Sequence, residues 1–172
     1  MNGPIILETS RLLLCEKELE DAPFLMTLNS DPLVTRYTGD GPFESLEGAE
    51  AIVRYVIGQY RANGYGRWLV VLKETNEPLG WCGLKYQNNR GEVDLGYRFM
   101  QKHWGKGYAT EASGACLNYG FKHLHLKRII GRAAVDNSAS IGVLKKVGMT
   151  FFEKTVLNNM PSYIYHIINH TY

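Results

Sequence analysis

Cysteine is scarce in this sequence and does not cluster. Cys15, Cys82 and Cys116 are the only three, odd in number, far apart and never in a Cys-x-x-Cys pair. That pattern argues for reduced thiols in a cytoplasm over a disulfide framework. Each reads as a small buried hydrophobe, and no His pairing marks a thiol nucleophile. Long apolar runs are missing too. Stretches such as residues 68–72 fall far short of the ~20 residues that span a bilayer. The start, Met1-Asn2-Gly3-Pro4, lacks the charged-then-apolar layout of a signal peptide. Nor is charge one-sided: the formal net charge is +2, with both signs mixed along the chain, so the basic face of a nucleic-acid binder is not expected. No repeat, low-complexity tract or linker interrupts the chain. The expectation is a cytoplasmic protein, monomer or homodimer, with neither membrane nor nucleic acid as partner, folded as one domain over residues 1–172.

Apolar residues at 45% and charged residues at 21% of 172 suffice for a substantial core and argue against disorder. Residues 5–14 read as an opening strand with Thr9-Ser10-Arg11 inside it. Residues 21–29 carry Phe24, Leu25 and Leu28 at helical spacing and end near Ser30-Asp31-Pro32. A short helix follows before the turn Gly39-Asp40-Gly41-Pro42. Residues 45–63 form a longer helix, with Ile52, Val53, Val56, Ile57 and Tyr60 as its stripe and Asn63-Gly64 as its stop. Residues 67–73 and 78–86 make a hairpin, and the turn Asn88-Asn89-Arg90-Gly91 leads into a strand over 92–100. A helix over 107–123, a strand over 128–135 and a helix over 138–147 ending at Gly148 come next. Strands over 151–157 and 163–168 close the chain. A meander followed by strand–helix–strand–helix is α/β: a central twisted, mixed but mostly antiparallel sheet of about seven strands, with helices on both faces.

The segment Lys102-His103-Trp104-Gly105-Lys106-Gly107-Tyr108-Ala109-Thr110-Glu111-Ala112 follows a strand and opens a helix. Its glycines permit a tight turn and close approach of a bulky ligand. The first helical turn leaves amide N–H groups unpaired at the positive end of the dipole, which suits a pyrophosphate. It is not a Walker A loop, since no Gly-Lys-Ser/Thr closes the arc. Nor is it the dinucleotide fingerprint, since Thr110 stands where a third glycine belongs. Alone, its glycines serve a strand-to-helix turn.

It is accompanied by Asp94-Leu95-Gly96-Tyr97 in the preceding strand, and by Asn137-Ser138-Ala139-Ser140 and Leu144-Lys145-Lys146-Val147-Gly148-Met149 after the next one. Together these resemble the GNAT superfamily of acetyl-CoA-dependent N-acetyltransferases. The closer resemblance is to its RimJ/RimL-like branch, which acetylates protein N-termini or small amines. Leu7-Glu8-Thr9-Ser10-Arg11-Leu12-Leu13-Leu14, Glu20-Asp21-Ala22, Ser30-Asp31-Pro32 and Gly80-Trp81-Cys82-Gly83-Leu84 look like that branch as well, so the likeness spans nearly the whole chain.

The resemblance implies a GNAT-like sheet splayed at its fourth and fifth strands, with acetyl-CoA as cosubstrate and no metal. The loop Lys102, His103, Trp104, Gly105, Lys106 and Gly107 would hold the pyrophosphate with backbone amides, continued by Tyr108, Ala109 and Thr110. Lys102 stands where the family has Gln or Arg. Phe99 and Met100 would pair their backbone with the pantetheine arm, Asn137 would hydrogen-bond it, and Lys145 would join the cofactor set. The family tyrosine that protonates the leaving thiolate is replaced by Leu144, and the branch's serine hydroxyl maps to Ser140. A serine near a helix start also serves as a cap, and both readings of Ser140 stand.

Asp94 takes the family position of a strand carboxylate, and Glu92 lies two residues before it on the same face. Either is a candidate base toward the attacking ammonium, and a solvated strand face is the ordinary fate of both. An α-amine titrates near ~8 and a lysine side chain near ~10.4, so an N-terminal substrate needs only a weak or water-mediated base. His123 and His125 sit at a helix end, where imidazole suits the dipole. His166 and His170 lie in a strand context that argues against a metal pair. The implied reaction is acetyl transfer to a primary amine, foremost a protein or peptide N-terminal α-amine, by direct attack through a tetrahedral intermediate. The alternatives are a small-molecule amine (polyamine, amino acid or antibiotic) and a non-catalytic acetyl-CoA- or nucleotide-binding protein.

Overall fold

The computed structural model describes residues 3–39, 41–88 and 90–169. Asp40 and Asn89, each expected in a turn, and His170 lie outside the described residues. The chain opens with β1 (Ile5–Glu8) and β2 (Leu12–Cys15), then α1 (Ala22–Ser30), α2 (Pro32–Thr35) and α3 (Leu46–Asn63). A meander follows, made of β3 (Arg67–Leu72), β4 (Glu77–Gln87) and β5 (Glu92–Phe99). The second half runs α4 (Tyr108–Lys122), β6 (Arg128–Ala134), α5 (Ser138–Lys146), β7 (Thr150–Leu157) and β8 (Met160–Ile168). The strands form one open sheet in the order β1-β2-β3-β4-β5-β6-β8-β7, antiparallel except for the parallel pair β5–β6.

Eight strands are described where about seven are expected, because residues 5–14 are two strands and not one. The Thr9 hydroxyl accepts the Leu12 N–H at 3.0 Å, and the Thr9 N–H donates to the Leu12 carbonyl at 2.9 Å. The side chain thus competes with an extended ladder and folds the segment back on itself. Helix α3 starts where Ser45 Oγ accepts the Gly48 N–H at 3.2 Å and stops at Gly64, whose φ of 75° is left-handed. Its inward face is Val53, Val56 and Tyr60, whereas Ile52 of the expected stripe is exposed.

Alternation gives the sheet two differently occupied faces. On one, Trp68 packs edge-on against Tyr119 of α4, with ring centroids 5.4 Å apart. Its register partner Cys82 lies 3.7 Å from Cys116 of the same helix, sulfur to sulfur. All three cysteines are buried and free. On the other face Trp81 packs against the cluster formed by Ala22, Leu25, Leu28, Ala49 and Val53 of α1 and α3. The sheet opens between β5 and β6, where register pairing is confined to Asp94↔Ile130 and Leu95↔Gly131. This is the expected splay, displaced by one in strand number by the split first strand. Leu144 explains its own presence here: it is buried, and a Cβ on Gly131 would sit 2.6 Å from its Cδ2. The leucine packs directly on the β6 backbone.

Candidate active site

A cleft of about 830 Å³ lies at the splay, lined by both ends of the α4 entry loop, the first turn of α5, and side chains of β3 to β6. Gly105 (φ 75°) and Gly107 (φ 81°) adopt left-handed backbone, which a side chain resists. A Cβ on Gly105 would meet nothing within 4 Å, so its surroundings stay open for a ligand to approach the backbone. Helix α4 has no side-chain cap, and its first bond runs from the Glu111 N–H to the Gly107 carbonyl at 3.0 Å. The N–H groups of Tyr108, Ala109 and Thr110 therefore lack intrahelical acceptors, and all three residues line the cleft. This amide cradle, at the positive end of a 15-residue helix, fits a pyrophosphate.

The rest of the expected cofactor set divides. His103, Trp104, Gly105, Gly107 and Phe99 line the cleft. Trp104 Nε1 donates to the Phe99 carbonyl at 2.8 Å, which pins the loop to the end of β5. Met100 does not line it, because its N–H donates to Leu79 and its carbonyl accepts from His103, both at 2.9 Å; the open edge of β5 stops one residue short of it. Lys102 reaches back to Glu77 Oε1 at 2.5 Å. Lys106 contributes its carbonyl to Arg11 Nη1 at 3.1 Å. In the last turn of α5, Lys146 and not Lys145 lines the cleft.

At the start of α5 the cap is Asn137, whose side-chain oxygen accepts the Ser140 N–H at 3.1 Å. Ser140 is thus free of the capping duty its position suggested. Its Oγ lies 2.8 Å from the Tyr97 hydroxyl, which also donates to the Ser140 carbonyl at 3.0 Å. Burial raises the Tyr97 phenol well above its ordinary value, so it keeps its proton.

Asp94 and Glu92 share a strand face but not a setting. Asp94 is buried and lines the cleft, with Oδ2 2.6 Å from Arg67 Nη2 and Oδ1 3.5 Å from Arg132 Nε. Glu92 turns away to Arg90 at 2.9 Å and Arg128 at 3.3 Å. Arg67, Arg98 and Arg132 escaped the sequence reading, and Tyr97 entered it only within Asp94-Leu95-Gly96-Tyr97, with no role assigned. Of the three arginines Arg98 alone left a signal, because alternation from Asp94 puts it on the same strand face. Among the described residues no group of three or more His, Cys, Asp or Glu could hold a metal ion, and no helix is long and apolar enough to cross a membrane.

Comparison with known proteins identifies this architecture. Residues 11–150 match the family model described as "Acetyltransferase (GNAT) domain". The chain is 35% identical over 142 residues, 82% of this chain and 80% of the other, to an uncharacterized N-acetyltransferase p20 of Bacillus licheniformis. It superposes on a GNAT-family acetyltransferase from Bacillus anthracis with a TM-score of 0.81 at 29% identity, covering 94% and 97% of the two chains. Two more distant structures share the fold. One is RimL, a ribosomal L7/L12 alpha-N-protein acetyltransferase solved with coenzyme A (TM-score 0.81, 20% identity, 96% and 98% covered). The other is a spermidine N-acetyltransferase from Vibrio cholerae (TM-score 0.79, 21% identity, 93% and 96% covered). An amide cradle at a β-sheet splay, in a chain so matched over most of its length, belongs to the GNAT family: this protein is an acetyl-CoA-dependent N-acetyltransferase.

Proposed function

We propose that the acceptor is a primary α-amine at a protein or peptide N-terminus, the substrate class of the RimJ/RimL-like branch, and that it attacks the thioester carbonyl directly. The observation that supports an α-amine is the engagement of both Asp94 oxygens by guanidinium groups. Direct attack draws on the Tyr97–Ser140 hydroxyl pair, which lines the same cleft as the amide cradle and Asp94. Acetyl-CoA supplies the activated acyl group as a thioester. Ser140 Oγ, 2.8 Å from the Tyr97 hydroxyl whose own proton goes to the Ser140 carbonyl, can give its proton to the departing sulfur, a role that leucine at position 144 cannot fill. The thiolate of a free thiol near ~8.5 is a modestly poor leaving group at neutral pH, so its protonation helps without being indispensable.

Asp94 has both carboxylate oxygens beside guanidinium groups. Proton removal from the amine therefore rests on the substrate's own neutral fraction, aided by Asp94 or water. An α-amine near ~8 provides that fraction at neutral pH, and a polyamine or lysine amine near ~10.4 does not. Thiol-release assays across peptide N-termini, free amino acids and spermidine test the reading. Peptides are expected to turn over fastest, with a rate that rises with pH and levels near the amine's pKa. Spermidine or an aminoglycoside outpacing every peptide would move the protein to another substrate group.

A further inference from the structure

Strand register gathers three arginines on one face of the sheet beside the splay. Trp81 pairs with Arg98, Gly83 with Gly96 and Arg67 with Gly83. Asp94 pairs with Ile130, two residues before Arg132. Alternation then brings Arg67, Trp81, Asp94, Arg98 and Arg132 to the same side, and all five line the cleft. The wall is built and not incidental. Arg67 and Arg98 lie over the Trp81 ring, 4.9 and 5.4 Å from its centroid. Arg67 lies across Gly96 so closely that a Cβ there would sit 2.6 Å from its Cζ.

Among the described residues that share this face of the cleft, Asp94 stands as the acid against three guanidinium groups, with Asp136 lining the cleft outside the strands. Among the described residues, the buried nitrogens Arg67 Nε and Arg132 Nε and Nη2 make no hydrogen bond, although Arg132 Nε is 3.5 Å from Asp94. Buried donors left unmade are costly, and a guanidinium fork matches a carboxylate in two parallel bonds. The same field repels a polyamine.

We infer that this wall is an anion subsite for the acyl acceptor, which carries a carboxylate close to its reacting amine. The inference rests on the acetyl-transfer reading above and narrows its substrate. Two sources offer that chemistry: the α-carboxylate of a free amino acid, and an acidic side chain at the first or second residue of a peptide.

The test compares acids with their amides on the wild-type protein. Glutamate is set against glutamine α-amide, and peptides beginning Asp or Glu against those beginning Asn or Gln, with spermidine as the cationic arm. At least a tenfold advantage in kcat/KM for the acids, residing in KM, is expected. Preference within the acids for free amino acids or for peptides then names the source. Arg132→Gln should collapse the acid-over-amide ratio by raising KM for the acids, with acetyl-CoA affinity by calorimetry serving as the control for folding. Amides or spermidine matching the acids in wild type would overturn the subsite, as would an unchanged ratio in a folded Arg132→Gln protein. If no amine is acetylated, the transfer reading fails first. Calorimetric binding of N-acetylglutamate against N-acetylglutamine amide, with coenzyme A present, still decides the subsite: equal affinities refute it and a preference for the acid supports it.

Discussion

Tyr97 Oη and Ser140 Oγ lie 2.8 Å apart and join β5 to the first turn of α5. In the proposed mechanism these two hydroxyls, from residues 43 apart in sequence, take the place of the one that leucine at position 144 cannot supply. Ser140→Ala is expected to lower kcat about tenfold, below the usual range for a general acid because the thiolate leaves unaided at a fair rate. Acetyl-CoA affinity should change far less. Tyr97→Phe should reproduce part of the loss by freeing Ser140 to turn toward its own carbonyl. Steady-state thiol release and calorimetry on both variants separate the two effects. A fall in affinity with untouched kcat would make Ser140 a binding residue only.

The cofactor loop gives a sharper expectation. Gly107 holds a φ of 81° beside the unpaired amides of α4. In Gly107→Glu the left-handed backbone costs about 1–2 kcal/mol, which a folded domain tolerates. The added carboxylate would face the pyrophosphate at the positive end of the helix. Acetyl-CoA binding should become undetectable by calorimetry while circular dichroism stays unchanged. Retained affinity in a folded variant would remove the amide cradle from the pyrophosphate site.

What the sequence made legible is local. Gly105, Gly107 and the start of α3 at Ser45 all act within a few residues of themselves, and their spacing reveals them, whereas the cap of α5, one of the two readings of Ser140, is Asn137. Cys82 and Cys116 were readable as buried for the same reason: each sits in an apolar stretch. The anion wall was not legible, since Arg67, Arg98 and Arg132 meet only through the register of β3, β4, β5 and β6. The break inside residues 5–14 hid for a related reason. The polar run Glu8-Thr9-Ser10-Arg11 marks its place, but the tether that holds the turn comes from Glu111, 102 residues from Thr9.

That tether carries a prediction about acid. Burial alone would raise the Glu111 carboxyl, but hydrogen bonds from the Thr9 hydroxyl, the Arg11 N–H, the Arg11 guanidinium and the Ser10 hydroxyl outweigh it and hold it at about 2. A carboxyl lowered on folding stabilises the protein above its unfolded value of ~4.3 and stops doing so as pH falls toward 2. Glu111→Gln should cost about 2 kcal/mol at neutral pH, on the order of one charge-assisted hydrogen bond. The difference from wild type should shrink between pH 4 and 2 in urea titrations. Because Arg11 also holds the Lys106 carbonyl, the variant should bind acetyl-CoA more weakly. A pH-independent difference would show that the charge of Glu111 is not what ties the hairpin down.

Lys17 makes the opposite prediction at the alkaline end. Its side chain is buried behind Trp81, 5.5 Å from the ring centroid, and Nζ donates to the Arg67 carbonyl at 2.6 Å. Burial first, and the Arg67 and Arg98 cations after it, lower its pKa to about 7, with Asp21 pulling the other way. In the unfolded chain it titrates near ~10.4. Between these values the unfolded state binds a proton that the folded state has released, so stability contributed by this site rises with pH across the window. The limiting slope for one proton is ~1.4 kcal/mol per pH unit. Lys17→Met removes the titration along with one hydrogen bond, and the hydrogen bond contributes an offset that changes little with pH. Urea unfolding at pH 7.5, 8.5 and 9.5 should therefore show wild type gaining on the variant at each step, by up to that slope. Other groups titrate alike in both proteins and cancel from the difference. Parallel profiles would mean that Lys17 stays protonated in the folded protein and adds a full positive charge behind the anion wall.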